Sequence, residues 1–248
     1  MSGAHGPAGE GRALPPTSLF AGDDGSPPPA LAAALALAGP QERLEAVVEA
    51  LRTERVLVPV VARLDEMDQP GEHGIAGEKS AHAAMVTVAA PDGRAVMPVF
   101  SSMTAMQRWR AEARPVPTEG RRAALAAGTE ADGVLVLDPG SEHAVQVPRP
   151  AVRAIALGEP WLPAVRHPAV RTEVHTVLTT LVPGVRTTKI EPGGRTEIVV
   201  VAYLQRHPTG VPDPETAATL RACREALATS QLIADLVDSV TVRPAITH

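Results

Sequence analysis

The sequence predicts a mixed α/β protein of two small modules, in the α+β arrangement, on three observations. Helical stripes alternate with short apolar runs: Leu44, Val47, Val48 and Leu51 fall at i, i+3, i+4 and i+7, and Arg55 to Ala62 follows them, apolar after its first residue. The pattern recurs later, where Val170, Val174, Val177, Leu178 and Leu181 precede two strand-like runs. Between the two stretches lies EPWLPAVRHP (159–168), whose three prolines read as a linker.

In chain order, residues 1–29 are rich in Gly, Pro, Ala and Ser and are expected to form a disordered tail, because they bury too little apolar surface to offset ordering entropy. The first module is expected over 30–158. It begins with a short helical run, Ala30 to Ala38, stopped by Gly39-Pro40, and then the amphipathic helix of Leu44 to Leu51. Arg55 to Ala62 reads as a strand, with Pro59 marking an edge or a bulge. Residues 63–80 are acidic, contain glycine and read as a long loop.

The stretch 81–113 organises the module. Met85 to Ala90 and Ala95 to Phe100 read as strands joined by Pro91-Asp92-Gly93, with Pro presetting φ and Gly free to take a positive one. Ser101 or Ser102 offers a hydroxyl to cap the following helix, which Arg114-Pro115 ends. A helix beginning at Thr118 or Glu119 runs to Gly128, and Val134 to Leu137 is a strand entering the turn Asp138-Pro139-Gly140. Ala144 to Val147 and Val152 to Leu157 are two further strands, or a strand and a short helix.

The second module, 169–248, reads as helix–hairpin–helix–strand. Val185 to Glu191 and Thr196 to Leu204 flank a Pro-Gly-Gly turn. Asp213 caps a helix with Pro214 at its first position, and Leu220, Cys223 and Leu227 share one face of it. Leu232 to Val237 continues as helix, and Ser239 to Arg243 closes as a strand.

Composition narrows the function classes. The 248 residues are 44% hydrophobic, enough for a real core, yet with two Trp, one Tyr and two Phe that core is built from Ala, Val and Leu. The net charge of −5 and the scarcity of aromatic rings argue against a nucleic-acid surface, which needs clustered positive charge and stacking platforms. No run of about 18 apolar residues occurs, and ALAAALALA (30–38) follows Asp23, Asp24 and prolines in place of the basic flank of a signal peptide. A membrane role is therefore not expected. The one cysteine, Cys223, excludes an internal disulfide and fits a cytoplasmic setting.

Three pieces of the chain together resemble a known family. MPVFSSMTAMQRW (97–109) resembles the signature of the SseB N-terminal domain, named for enhanced serine sensitivity: a proline, a β-branched residue, a phenylalanine, then a capped helix. RVLVPVVA (55–62) and ADGVLVLDPGS (131–141) extend the likeness, with Asp138 standing where the family typically has Asn. The resemblance covers about 30–158 well and the C-terminal third loosely. It implies an α/β module with no established reaction and no cofactor. In GC-rich bacteria such proteins are often encoded near translation-factor genes, so it also points to a translation-linked partner.

Read for chemistry, the residues encode no catalytic constellation. GIAGEKS (74–80) has Glu78 where a phosphate loop needs Gly before its Lys, so it reads as a solvated loop. Cys223 lies on an apolar stripe and reads as a buried structural thiol. None of the eight histidines forms an HxxxH or HExxH pair, so no helical metal site is encoded locally. Asp65, Glu66 and Asp68, and Asp138 with Glu142, read as solvated loop carboxylates. Ser101 and Ser102 lack the G-x-S-x-G elbow of a hydrolase nucleophile. Met103, Met106 and Trp109 read as a core stripe.

The expectation is therefore a non-catalytic interaction or regulatory module with a protein partner, whose recognition surface is bordered by Asp138, Ser101 and Ser102 at strand exits. The alternative is a small-ligand binder or enzyme with a pocket between the modules. A deep cleft holding buried polar groups of perturbed ionisation favours the alternative; a flat, exposed apolar patch favours the partner.

Overall fold

The computed structural model describes residues 19–62, 83–90, 93–194, 196–205 and 214–246. The first module opens with α1 (Pro29–Leu35) and α2 (Pro40–Leu51), each with proline in its first turn, where a missing N–H costs nothing. Gly39-Pro40 ends the first helical run and starts the second helix. The strands β1 (Arg55–Ala62), β2 (Ala83–Met85), β3 (Val88–Ala89) and β4 (Ala95–Val99) follow, then α3 (Met103–Trp109), β5 (Arg114–Glu119) and α4 (Gly120–Glu130). The module closes with β6 (Leu135–Leu137), β7 (Val145–Val147) and α5 (Arg149–Leu157).

These strands form two sheets, β2-β1-β5 and β3-β4-β6-β7. One antiparallel bridge joins them: Leu57 donates to the Phe100 carbonyl at 2.8 Å, and Phe100 donates back at 2.9 Å. The single strand expected over 85–90 is thus divided, β2 pairing with β1 and β3 with β4.

The strand β5 was not foreseen, because Arg114-Pro115 reads in the sequence only as the end of a helix, with the next element placed at Thr118 or Glu119. The ladder explains why its prolines are tolerated. Leu57 sends its N–H toward Phe100, so Leu57 and Pro59, two residues on, face away from β5. Their partners in the β1–β5 register are Pro117 and Pro115. All three prolines therefore sit where the β1–β5 ladder needs no donor, and β5 is an edge strand. The helix α3 ends at Trp109, five residues short of Arg114, for the same reason: 114–119 is drawn into the sheet.

A second correction concerns the tail. Residues 19–29 were expected in it, yet 20–28 are tied to the body. The Arg55 guanidinium pairs with Asp23 and bonds the Ser26 carbonyl, and the Met103 N–H donates to the Gly25 carbonyl at 2.9 Å. Residues 1–18 lie outside the described residues, as do the loop 63–80, including GIAGEKS and Asp65, Glu66 and Asp68, and the capping Asp213.

The second module contains α6 (Pro168–Leu181), the antiparallel hairpin β8 (Val185–Pro192) and β9 (Ile198–Leu204), then α7 (Pro214–Ala228), α8 (Gln231–Leu236) and β10 (Val240–Ile246). Its sheet runs β10-β9-β8, with β10 parallel to β9. Ile198, Val200, Ala202 and Leu204 alternate onto one face and pack with Val170, Val174 and Leu178 of α6 and with Cys223 and Leu227 of α7. Burying each such Val, Leu or Ile stabilises by about 1.5–3 kcal/mol relative to exposure. Each module thus has its own core.

Residues 159–168 cross between the modules, with a 3-10 turn at Ala164–Arg166 and Trp161 packed against the first core. Polar ties at the seam include Arg94 with Asp238 at 2.8 Å and Arg149 Nη2 donating to the Ala234 and Val237 carbonyls at 2.9 and 3.3 Å, while Arg166 of the crossing segment pairs with Glu45.

Candidate functional site

The sequence pointed to two strand exits, and the chain brings them together. β4 and β6 are parallel neighbours, so Ser101 and Asp138 leave the sheet side by side. Asp138 takes a left-handed backbone, φ 49°, which Asp tolerates better than most residues. Its carboxylate turns back onto Ser101, accepting the backbone N–H at 2.8 Å and the hydroxyl at 2.6 Å. The Ser101 carbonyl accepts Arg55 Nη1 at 2.8 Å, and Arg55 pairs with Asp23. The result is a relay, Asp23–Arg55–Ser101–Asp138, that closes the top of the first module.

Asp138 and Ser101 are 6% and 4% exposed, so their side chains do not border an open surface as expected. The Ser101 N–H and hydroxyl, both donating to it, draw the Asp138 carboxylate inward. Burial pushes the Asp138 carboxyl above its ordinary range, against the pull of the Ser101 bonds. The Arg55 hydrogen bond leads in holding Asp23 below its ordinary value. Ser102 is partly exposed and caps α3, accepting the Ala105 N–H at 3.1 Å.

The other candidates settle into structural places. Phe100 and Met106 are fully buried; the Phe100 and Trp109 rings lie 5.2 Å apart, and Arg110 sits over Trp109 at 4.8 Å. Met103 turns outward against Gly25. Cys223 is buried and burial raises its thiol pKa. Glu142 is exposed. Among the described residues, no three or more His, Cys, Asp or Glu side chains are grouped to hold a metal ion, and no helix is long and apolar enough to cross a membrane.

A cleft that the sequence did not localise lies between the modules, with a volume of about 310 Å³. The first module contributes Pro40 and Leu44 of α2 and Val145 of β7; the crossing segment adds Trp161; the second module adds Gly194 and Glu197 from the β8–β9 turn. Pro40, Leu44, Val145 and Trp161 make apolar walls, and Gln41, Arg43, Gln146, Glu197 and Asp238 add polar groups, a mixture that small-molecule sites share.

Glu197 is the unusual group in it. One oxygen, Oε2, accepts the Asp238 N–H at 2.6 Å, while Oε1 is buried without a hydrogen-bond partner. Burial, with Asp238 nearby, pushes the carboxyl up from 4.5 to about 7, and the Asp238 and Ala164 amides and the Arg149 guanidinium only partly oppose it. The Trp161 indole Nε1 is likewise buried without a partner. Sequence reading missed this site because its residues stand in unrelated stretches. The one local signal was a carboxylate directly before the fully apolar run IVVVA.

Compared with curated proteins and with solved structures, the chain has no significant match in either. Compared with protein families, residues 30–154 match the SseB protein N-terminal domain. That span runs from α1 almost to the end of α5 and takes in both sheets of the first module and the Ser101–Asp138 pair. The chain therefore belongs to the SseB family, with its first module as the SseB protein N-terminal domain.

Proposed function

We propose that the chain is a non-catalytic binding protein that seats a small, largely apolar ligand in the cleft between its modules. The observation that carries this is the cleft itself, with Glu197 inside it held near neutral ionisation by burial. A perturbed carboxyl in a concave, two-module site is the feature that distinguishes a ligand pocket from a solvated seam. The reading ranks the ligand above the protein partner that the sequence favoured.

The partner reading keeps one observation of its own. Leu125 of α4 and Leu157 of α5 are 56% and 50% exposed along the groove between those helices. A partner helix laid there would cover both, and a translation-linked protein is the partner the family resemblance suggests.

A thermal-shift screen of small, mostly apolar molecules separates the two. Gly194 lines the cleft, and a Cβ added there meets nothing within 4 Å, so Gly194→Trp sets a bulky side chain at the cleft wall at a position with room for it. The expected result is a saturable rise in melting temperature that Gly194→Trp abolishes while Leu125→Ser leaves it intact. A rise that survives Gly194→Trp contradicts the cleft as the site.

A further inference from the structure

Four charged side chains from distant stretches meet where the modules join. Glu197 precedes β9, Asp238 follows α8, Arg94 precedes β4 and Arg149 opens α5. Glu197 grips the short α8–β10 connection from two sides: Oε2 accepts the Asp238 N–H at 2.6 Å, and its own N–H donates to Ser239 Oγ at 2.9 Å. The first module holds the same connection. Arg94 Nη1 and the Arg149 N–H donate to Asp238 Oδ1 at 2.8 and 3.4 Å, and Arg149 Nη2 donates to the Ala234 and Val237 carbonyls at 2.9 and 3.3 Å. Whatever displaces Glu197 therefore displaces the residues that both arginines hold.

We propose that Glu197 is a proton-operated latch on the seam between the modules, closed while its carboxyl is neutral and released when it ionises. A neutral acid places no charge beside the Asp238 carboxylate, whereas an anion there is desolvated next to a second negative charge. Asp238 disfavours the charged form, and Arg149 and the Asp238 and Ala164 amides favour it.

Linkage fixes the direction. With the modules docked, burial pushes the group up to about 7, and exposure to water in the proposed open seam moves it back toward its ordinary 4.5. A group raised in the docked form supports docking fully below its open-form value and loses that support as pH rises through the docked one. Between about 4.5 and 7 the docking equilibrium therefore falls by of order 10²-fold. The latch stands whether or not the cleft takes a ligand.

The test uses Trp161, which lies in the seam, in a Trp109→Phe background that leaves it the one tryptophan of the two. Acrylamide quenching of Trp161 and the carboxyl ¹³C shift of Glu197 are followed from pH 5.5 to 8.5. Quenching is expected to rise severalfold with a midpoint near neutrality that coincides with the Glu197 titration. Glu197→Gln is expected to keep quenching low at pH 8.5. The proposal is overturned if Glu197 titrates below pH 5, if quenching stays flat while Glu197 titrates, or if the transition persists in Glu197→Gln, which would assign it to another group such as His167.

Discussion

Asp138 and Ser101, thirty-seven positions apart in the chain, are joined by two hydrogen bonds from one carboxylate, at 2.8 and 2.6 Å, with both residues buried. The pair clips together the ends of two parallel strands, β4 and β6, where the sheet would otherwise fray. It also supplies the carbonyl on which Arg55 rests.

Asp138→Ala should therefore destabilise the protein. It leaves the buried Ser101 N–H and hydroxyl unsatisfied, at about 1–3 kcal/mol, and puts alanine at a left-handed φ of 49°. Asp138→Asn, which keeps an acceptor and tolerates that φ, should cost less. Urea unfolding of the three proteins checks this; an Asp138→Ala midpoint equal to wild type would mean that the pair holds nothing together.

Phe100→Ala should cost about 3–5 kcal/mol, since the ring is fully buried and packs against Trp109. The same unfolding curves report it. A change below about 1 kcal/mol would show that the site collapses around the cavity.

Asp23 should matter despite its place in a Pro- and Gly-rich segment. Its carboxyl is held below its ordinary value of 3.8, first by the Arg55 hydrogen bond. A depressed carboxyl contributes stability that is present above the ordinary value and lost as pH falls through the folded one. Asp23→Asn should lower the melting temperature at pH 7, and the difference from wild type should shrink below pH 3.8. An equal difference at both pH values would remove the ion pair as its cause.

The legible parts of the fold were those whose signals are local. The stripe of Val170, Val174 and Leu178, the β8–β9 hairpin and the Ser102 cap were all readable, because each rests on residues within a turn or two of one another. The strand β5 was not, since Pro115 and Pro117 are acceptable only on the side of β1 that Leu57 turns away from. The burial of Asp138 needed Ser101 beside it, a contact made by a parallel crossover. Glu197 and Asp238 carry no spacing signal at all, and the seam that makes them unusual exists only once two modules dock.

The cleft is tested most directly by ¹H–¹⁵N NMR of the whole chain titrated with small, mostly apolar molecules. The account predicts saturable shifts clustered at Gly193, Gly194, Gln146 and the Trp161 indole Nε1–H, all lost in Gly194→Trp. Shifts centred on Leu125 and Leu157, or shifts that survive Gly194→Trp, would contradict it.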